Sequence, residues 1–361
     1  MTTEEAAKVA KASKAARAMG TRVRAVPPGI AGVAVGWIAF CVLVWIYGAS
    51  PRAMAVLLFE GTWGTTYGAG QVLFKATPLL FTGVAVDLAL RAGLFNIGAE
   101  GQLAIGSLAA AVVGSRLPAG TPMLVALPLV LAGAMGAGAA WAFVPAVLKG
   151  RFGAHEVIST IMMNRIADGA VGLALASGLA IAGTVRTVDV VPGARMPRLE
   201  TAFSAFRGSA ASFAVVIAVF TAVVVVAAHK RTRFGRELGL IGSNARAMQA
   251  EKVPVRRRLE QALLVSGALA GAASLATVNG YKGYFEEGLG AGAGFGGLAV
   301  ALLGRGSAAG LVFAALLFGT LQQGGLAVNA HVPKELMDIL QAVVICAVAI
   351  ADVRVRKAVL S

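Results

Sequence analysis

Three polar side chains, Asn96, Glu100 and Gln102, interrupt an otherwise apolar stretch of the chain. Asn96 and Glu100 are four residues apart, so a helix would place them on the same face. Carboxylate and amide groups are costly in hydrocarbon and therefore face protein or water when they lie within a membrane. The cluster predicts either the lining of a pathway for a polar solute or a polar knot that ties one helix to its neighbours.

Residues that could do covalent chemistry are too few and too scattered to form a catalytic site. His155, His229 and His331 lie far apart and form no H-E-x-x-H motif. Cys41 and Cys346 lie in separate apolar runs, so neither a disulfide framework nor a zinc site is expected. No G-x-x-x-x-G-K-[ST] loop is present, so this chain should bind no ATP of its own. The sequence predicts a protein that is not an enzyme and holds neither a cofactor nor a metal.

The composition indicates what kind of fold carries the polar cluster. The 361 residues are 58% hydrophobic and only 14% charged, with a mean hydropathy of +0.78, whereas soluble domains carry about 25% charged residues. Apolar runs of roughly 18–25 residues, each long enough to cross a bilayer, recur from Ile30 to Ile350. We therefore expect an all-α integral membrane protein in the lipid bilayer, with about ten transmembrane helices.

The basic residues give the expected orientation. The net charge is +15, and most of the 32 Lys and Arg residues fall on one side of the predicted spans. This asymmetry is typical of cytoplasmic loops and argues against nucleic-acid binding. We expect a basic cytoplasmic tail over residues 1–28, a polytopic transmembrane domain over 29–351 and a cytoplasmic tail over 352–361, with both termini cytoplasmic.

The longest basic segment, residues 229–258, is expected to form a cytoplasmic loop. Gly242 should break the chain there, and Ser243 or Asn244 can cap a helix that begins beside it. The stretch Ala245–Ala250 favours a helix of about two turns, which is too short to persist alone in water. Such a helix either docks into a partner protein or lies at the membrane interface.

Three sequence blocks resemble a known family. Residues 78–102, 155–164 and 296–304 are similar to blocks of bacterial ABC-importer permeases of the nucleoside and simple-sugar type, which are related to the ribose and branched-chain amino-acid permeases. The resemblance covers the chain from Gly70 to Ala351. With the polar cluster, it implies a substrate pathway that includes residues of the first two blocks: Phe95, Asn96, Glu100, Gln102 and Asn164.

The segment 232–254 resembles the coupling loop of that family. Gly242, Asn244 and Ala247 match its pattern, whereas Met248 stands where a second alanine is usual. The resemblance implies contact with an ATPase through six residues: Gly242, Asn244, Ala245, Ala247, Met248 and Glu251.

The family resemblance also implies a function and a set of partners. It predicts import of nucleosides or related simple sugars across the bacterial cytoplasmic (inner) membrane by alternating access. The expected partners are a pair of ATP-binding subunits that hold the ATP, a second and unlike permease subunit, and an extracytoplasmic substrate-binding protein or lipoprotein. Three alternatives stay open: an ABC permease for another small polar solute, an ion-coupled secondary transporter, and a membrane scaffold.

Overall fold

The fold is all-helical over the residues that the computed structural model describes, which are 28–304, 306–333 and 335–360. The predicted N-terminal tail lies outside this part of the chain except for Pro28. The α-helices are, in chain order, α1 (Pro28–Ile46), α2 (Pro51–Thr62), α3 (Thr66–Arg91), α4 (Ala99–Arg116), α5 (Met123–Phe152), α6 (Glu156–Ala174), α7 (Ala214–Arg231), α8 (Arg233–Ala250), α9 (Val255–Gly271), α10 (Ala293–Gly304), α11 (Ala308–Val328) and α12 (Glu335–Leu360). Two π-helices, Leu175–Leu179 and Leu275–Lys282, continue α6 and follow α9.

Helix α3 lies at the centre of the molecule. It packs against α7, α9, α10 and α11, and every residue from Ala76 to Ala89 is buried. Pro78 lies inside this stretch without ending the helix. A helix that is apolar on all sides is stable only when other helices or lipid surround it. The four neighbouring helices bury the surface of α3, which makes it the core of the bundle.

Length and hydropathy identify the helices that can cross a membrane. Within the described residues five helices qualify: α3, α5, α7, α9 together with the π-helix Leu275–Lys282, and α11. A sixth span is obtained if α1 and α2, which bend by 118° at their junction, are counted together. Large apolar side chains of the peripheral helices point outward, among them Trp45, Leu124 and Phe220. These features confirm a multi-pass membrane protein.

The two ends of the molecule differ in structure. At the Arg91 end, Arg91 pairs with Asp87 at 2.8 Å and donates a hydrogen bond to the carbonyl of Gly306 at 2.7 Å. At the other end, here called the Gly70 end, Gly70 packs against Ser209, which belongs to the irregular segment 180–213 between α6 and α7. Helix α3 runs from the second end to the first.

Candidate translocation site and coupling segment

A buried polar knot holds the break between α3 and α4. Asn96 donates hydrogen bonds through Nδ2 to Gln102 Oε1 and to Ser266 Oγ, each at 2.8 Å. Its Oδ1 accepts from the amide of Gly98 and from Gln102 Nε2, each at 3.1 Å. Ser266, on α9, in turn donates to the carbonyl of Ala85 on α3 at 2.6 Å. The Asn96 carboxamide therefore joins the start of α4 to α9, which is distant in sequence, and Ser266 joins α9 to α3.

Asn164 extends the knot to α6. Its Oδ1 accepts from the amide of Gly101 at 3.0 Å, and its Nδ2 donates to the carbonyl of Ile97 at 2.9 Å. A side chain at Gly101 would meet Asn164 and Ala167 at about 3 Å, so the glycine permits the close approach of α4 and α6. The amide groups of Asn96, Gln102 and Asn164 are all buried and bonded to protein. The hydrogen bonds of these three amides therefore favour a polar knot between helices over the lining of a pathway.

Glu100 has a different environment from the three amides. Its carboxylate accepts hydrogen bonds from three backbone amides at the start of α10: Gly292 at 2.6 Å, Gly294 at 2.7 Å and Phe295 at 3.3 Å. A carboxylate at this position pairs amides that the helix leaves free and complements the positive end of its dipole. A Cβ atom at Gly294 would lie 2.2 Å from the Glu100 backbone nitrogen, so only glycine fits there. Glu100 therefore fixes the position of segment 292–295.

A cavity of about 520 Å³ borders segment 292–295. We call it the polar cavity, and its polar lining comes from α3, α11 and α12: Lys75, Gln322, Asp338 and Gln341. The half-exposed ring of Phe295 also lines it. Among the predicted pathway residues, Glu100 adjoins this cavity through Gly292 and Phe295. Phe95 is 43% exposed but, like the three amides of the knot, is not part of the cavity wall.

The residues that line the polar cavity were not predicted from the sequence. One signal was present, because Lys75 is a charged residue inside an apolar run and such residues mark polar pathways in membranes. Gln322 and Gln341 are weaker signals of the same kind. Nothing in the sequence showed that α3, α11 and α12 bring these side chains together.

The expected loop over residues 229–258 proves to be largely helical, and the predicted break at Gly242 is wrong. Helix α8 begins after Thr232, whose Oγ1 accepts from the amide of Gly235 at 3.1 Å, and it continues through Gly242. A Cβ atom at Gly242 would lie 2.2 Å from the Arg91 carbonyl oxygen. The glycine is thus explained by packing against the end of α3.

The break in α8 lies at Asn244, where φ is −156° and ψ is 88°. Asn244 Oδ1 accepts from the amide of Ala247 at 3.0 Å, as expected of an N-cap. Ser243, the other predicted cap, instead donates to the Leu240 carbonyl at 2.8 Å. The residues after the cap form the short helix that the sequence predicted, here called the coupling helix, 245–250.

The coupling helix presents part of its surface to solvent. Ala247 is exposed, as are Asn244 and Glu251 at its two ends, whereas Ala245 and Met248 are half-buried. An exposed helix of two turns gains little stability by itself. Its small exposed side chain at position 247 leaves room for a partner surface to approach closely.

An ionic cluster anchors α8 to α9. Glu237 accepts hydrogen bonds from Arg233 at 2.6 Å and from Arg258 at 2.5 Å, and these bonds hold the pKa of the Glu237 carboxyl below its usual range. The Arg258 guanidinium also lies 5.5 Å from the ring centre of Phe234. Since α9 carries Ser266, this cluster connects the first half of α8 with a helix of the polar knot.

The apolar helices that enclose the buried polar knot are those of a multi-pass membrane protein. Residues 68–349 match the permease component of branched-chain amino acid transport systems, and the chain belongs to this family of ABC-transporter permeases. Members of the family are transport subunits, not enzymes.

Three relatives match most of the chain. The guanosine ABC transporter permease protein NupP of Bacillus subtilis is 35% identical over 88% of this chain and 91% of its own length. The glucose ABC transporter permease protein TsgB13 of Haloferax volcanii is 33% identical over 91% of this chain and 86% of its own length. The nucleoside ABC transporter permease protein NupB of Lactococcus lactis is 28% identical over 92% of this chain and 93% of its own length. No solved structure matches the chain.

Proposed function

We propose that this permease imports nucleosides across the bacterial cytoplasmic (inner) membrane by alternating access, driven by ATP hydrolysis on separate subunits. The similarity to permeases named for guanosine and nucleosides carries the choice of substrate. The polar cavity supports it, because 520 Å³ lies within the usual range of small-molecule sites. Simple sugars are the second substrate class, given the glucose permease among the relatives.

Uptake measurements test the substrate. Cells that express the complete transporter are expected to accumulate labelled guanosine, inosine or adenosine, and an excess of unlabelled nucleoside should compete where ribose or glucose does not. A matched strain that lacks only this chain serves as the control. Competition by the sugars alone would show that the substrate class is wrong.

We further infer ten transmembrane helices with both termini cytoplasmic. Setting aside α2 as an interfacial helix and α8 as a cytoplasmic one leaves ten helices within the described residues. The Arg91 end also carries Lys149 and Arg233, and basic loops favour the cytoplasm. A reporter protein fused after Ser361 should therefore be active in its cytoplasmic form, and an external signal would contradict the topology.

The ATP-binding subunits are proposed to dock at the Arg91 end, through the coupling helix and its flanks. Six residues would form or position this contact: Gly242, Asn244, Ala245, Ala247, Met248 and Glu251. The exposed helix surface supports this assignment. The substrate-binding protein or lipoprotein would then dock at the Gly70 end, on segment 180–213.

A second, unlike permease subunit is proposed to cover α6. Arg165 and Asp168 form an ion pair at 3.5 Å, yet their side chains are 80% and 63% exposed. Arg165 lies about 13 Å along α6, which is far inside a bilayer if that helix crosses it. Charged groups at that depth need protein or water around them. A neighbouring subunit would supply the protein contact, and a shared pathway between the two subunits would supply the water.

A further inference from the structure

Lys75 is a charged residue within a helix that is long and apolar enough to cross the membrane. It lies nine residues after the start of α3, about 13 Å along the helix axis. Its side chain is half-buried and lines the polar cavity. No described carboxylate lies within 4 Å of its ammonium group, and no described residue accepts a hydrogen bond from it. A lysine at this depth ordinarily faces water, a counter-charge or a ligand.

The wall formed by α12 also carries polar groups that have no partner among the described residues. Asp338 is exposed and makes no ion pair with a described residue. Gln341, one helical turn further on, lines the same cavity, and its side-chain nitrogen is shielded from solvent without a hydrogen-bond partner in the described chain. Buried polar atoms are nearly always paired, so an unpaired one in a cavity wall indicates a ligand or water. The cavity thus offers donors on one side and acceptors on another.

We propose that the polar cavity binds the base of a 6-oxopurine nucleoside, between Lys75 on α3 and Asp338 on α12. The inference rests on the proposed function and adds to it the part of the substrate that is recognised. A guanine base presents the acceptors O6 and N7 on one edge, which lysine pairs with readily. The neighbouring edge presents the donors N1–H and the 2-amino group, which a carboxylate accepts. Phe295 supplies an aromatic face beside both.

Glu100 has a defined part in this arrangement. Through its three hydrogen bonds it fixes Gly292 and Phe295, which belong to the cavity wall. It is a positioning residue, because its carboxylate is occupied by backbone amides. The groups that would contact the base are Lys75, Asp338, Gln341 and Phe295.

Two substitutions in the complete transporter test this binding mode, with initial rates of labelled guanosine and inosine uptake as the measurement. We expect Lys75→Met to raise the KM for both nucleosides about tenfold or more, since each loses a charged donor to O6 and N7. Lys75→Arg, which keeps the charge, should stay within about threefold of the wild-type KM. Arg52→Met, which removes an exposed basic side chain from α2, is the matched control.

Asp338→Asn tests the second contact by a change in selectivity. Inosine lacks the 2-amino group, so we expect the preference for guanosine over inosine to fall about fivefold or more. A change that only loosened the structure would affect both nucleosides equally. Wild-type KM values in Lys75→Met together with unchanged selectivity in Asp338→Asn would overturn the binding mode. If instead the wild-type transporter carries glucose and no nucleoside, the proposed substrate class itself fails.

Discussion

Replacing Ala247 with aspartate is expected to abolish transport-linked ATP hydrolysis while the permease still folds and inserts. Ala247 is exposed, and its amide is already bonded to Asn244 Oδ1. An acidic side chain in the first turn of a helix is favourable for the helix itself. In a docked complex, however, the carboxylate would lose its water without gaining a partner. An unpaired buried charge costs roughly 3 kcal/mol or more, about a hundredfold in affinity.

Ala247→Ser is the matched control, because a serine is also small but carries no charge. Co-purification of the ATPase with each permease variant shows whether the contact is lost. Substrate-stimulated ATP hydrolysis in proteoliposomes shows whether coupling is lost. We expect near wild-type values for Ala247→Ser. Wild-type coupling in Ala247→Asp would show that the coupling helix does not contact the ATPase.

Glu100→Ala should lower transport at least tenfold without preventing membrane insertion. The substitution leaves the amides of Gly292, Gly294 and Phe295 without their carboxylate acceptor. A hydrogen bond to a charged group contributes about 1.5–3 kcal/mol, so the start of α10 should become free to shift. Since Phe295 lines the polar cavity, the wall of that cavity would shift with it.

Two further variants separate this role from a general loss of stability. Glu100→Gln keeps one acceptor oxygen and should transport at an intermediate rate. Glu60→Ala removes an exposed carboxylate from α2 and should behave as the wild type. Normal uptake by a well-inserted Glu100→Ala protein would contradict the assigned role.

The sequence predicted local features of the coupling segment well and its tertiary packing poorly. The asparagine cap and the short helix after it were predicted because both depend on neighbouring residues. The first half of α8 was not, because Gly242 is a poor helix former by intrinsic propensity. In the structure that glycine serves the contact with Arg91, which is about 150 residues away in sequence.

The polar knot and the polar cavity show the same difference between local features, which the sequence predicts, and tertiary contacts, which it does not. Hydropathy was enough to show that Asn96, Glu100 and Gln102 must face protein or water. It was not enough to identify their partners, because Ser266 lies 170 residues from Asn96 and Gly292 lies 192 residues from Glu100. The polar cavity was beyond sequence reasoning for the same reason, since helices from both ends of the chain form its wall.

The central claim is that this chain moves a nucleoside by means of ATP hydrolysis on partner subunits. It is tested most directly by guanosine accumulation in proteoliposomes that contain the permease with its proposed second permease subunit and ATPases, and with the proposed binding protein outside. We expect accumulation against the gradient when ATP is enclosed, and none when a non-hydrolysable analogue replaces ATP. Accumulation driven by an imposed proton or sodium gradient without ATP would contradict the account and indicate an ion-coupled transporter.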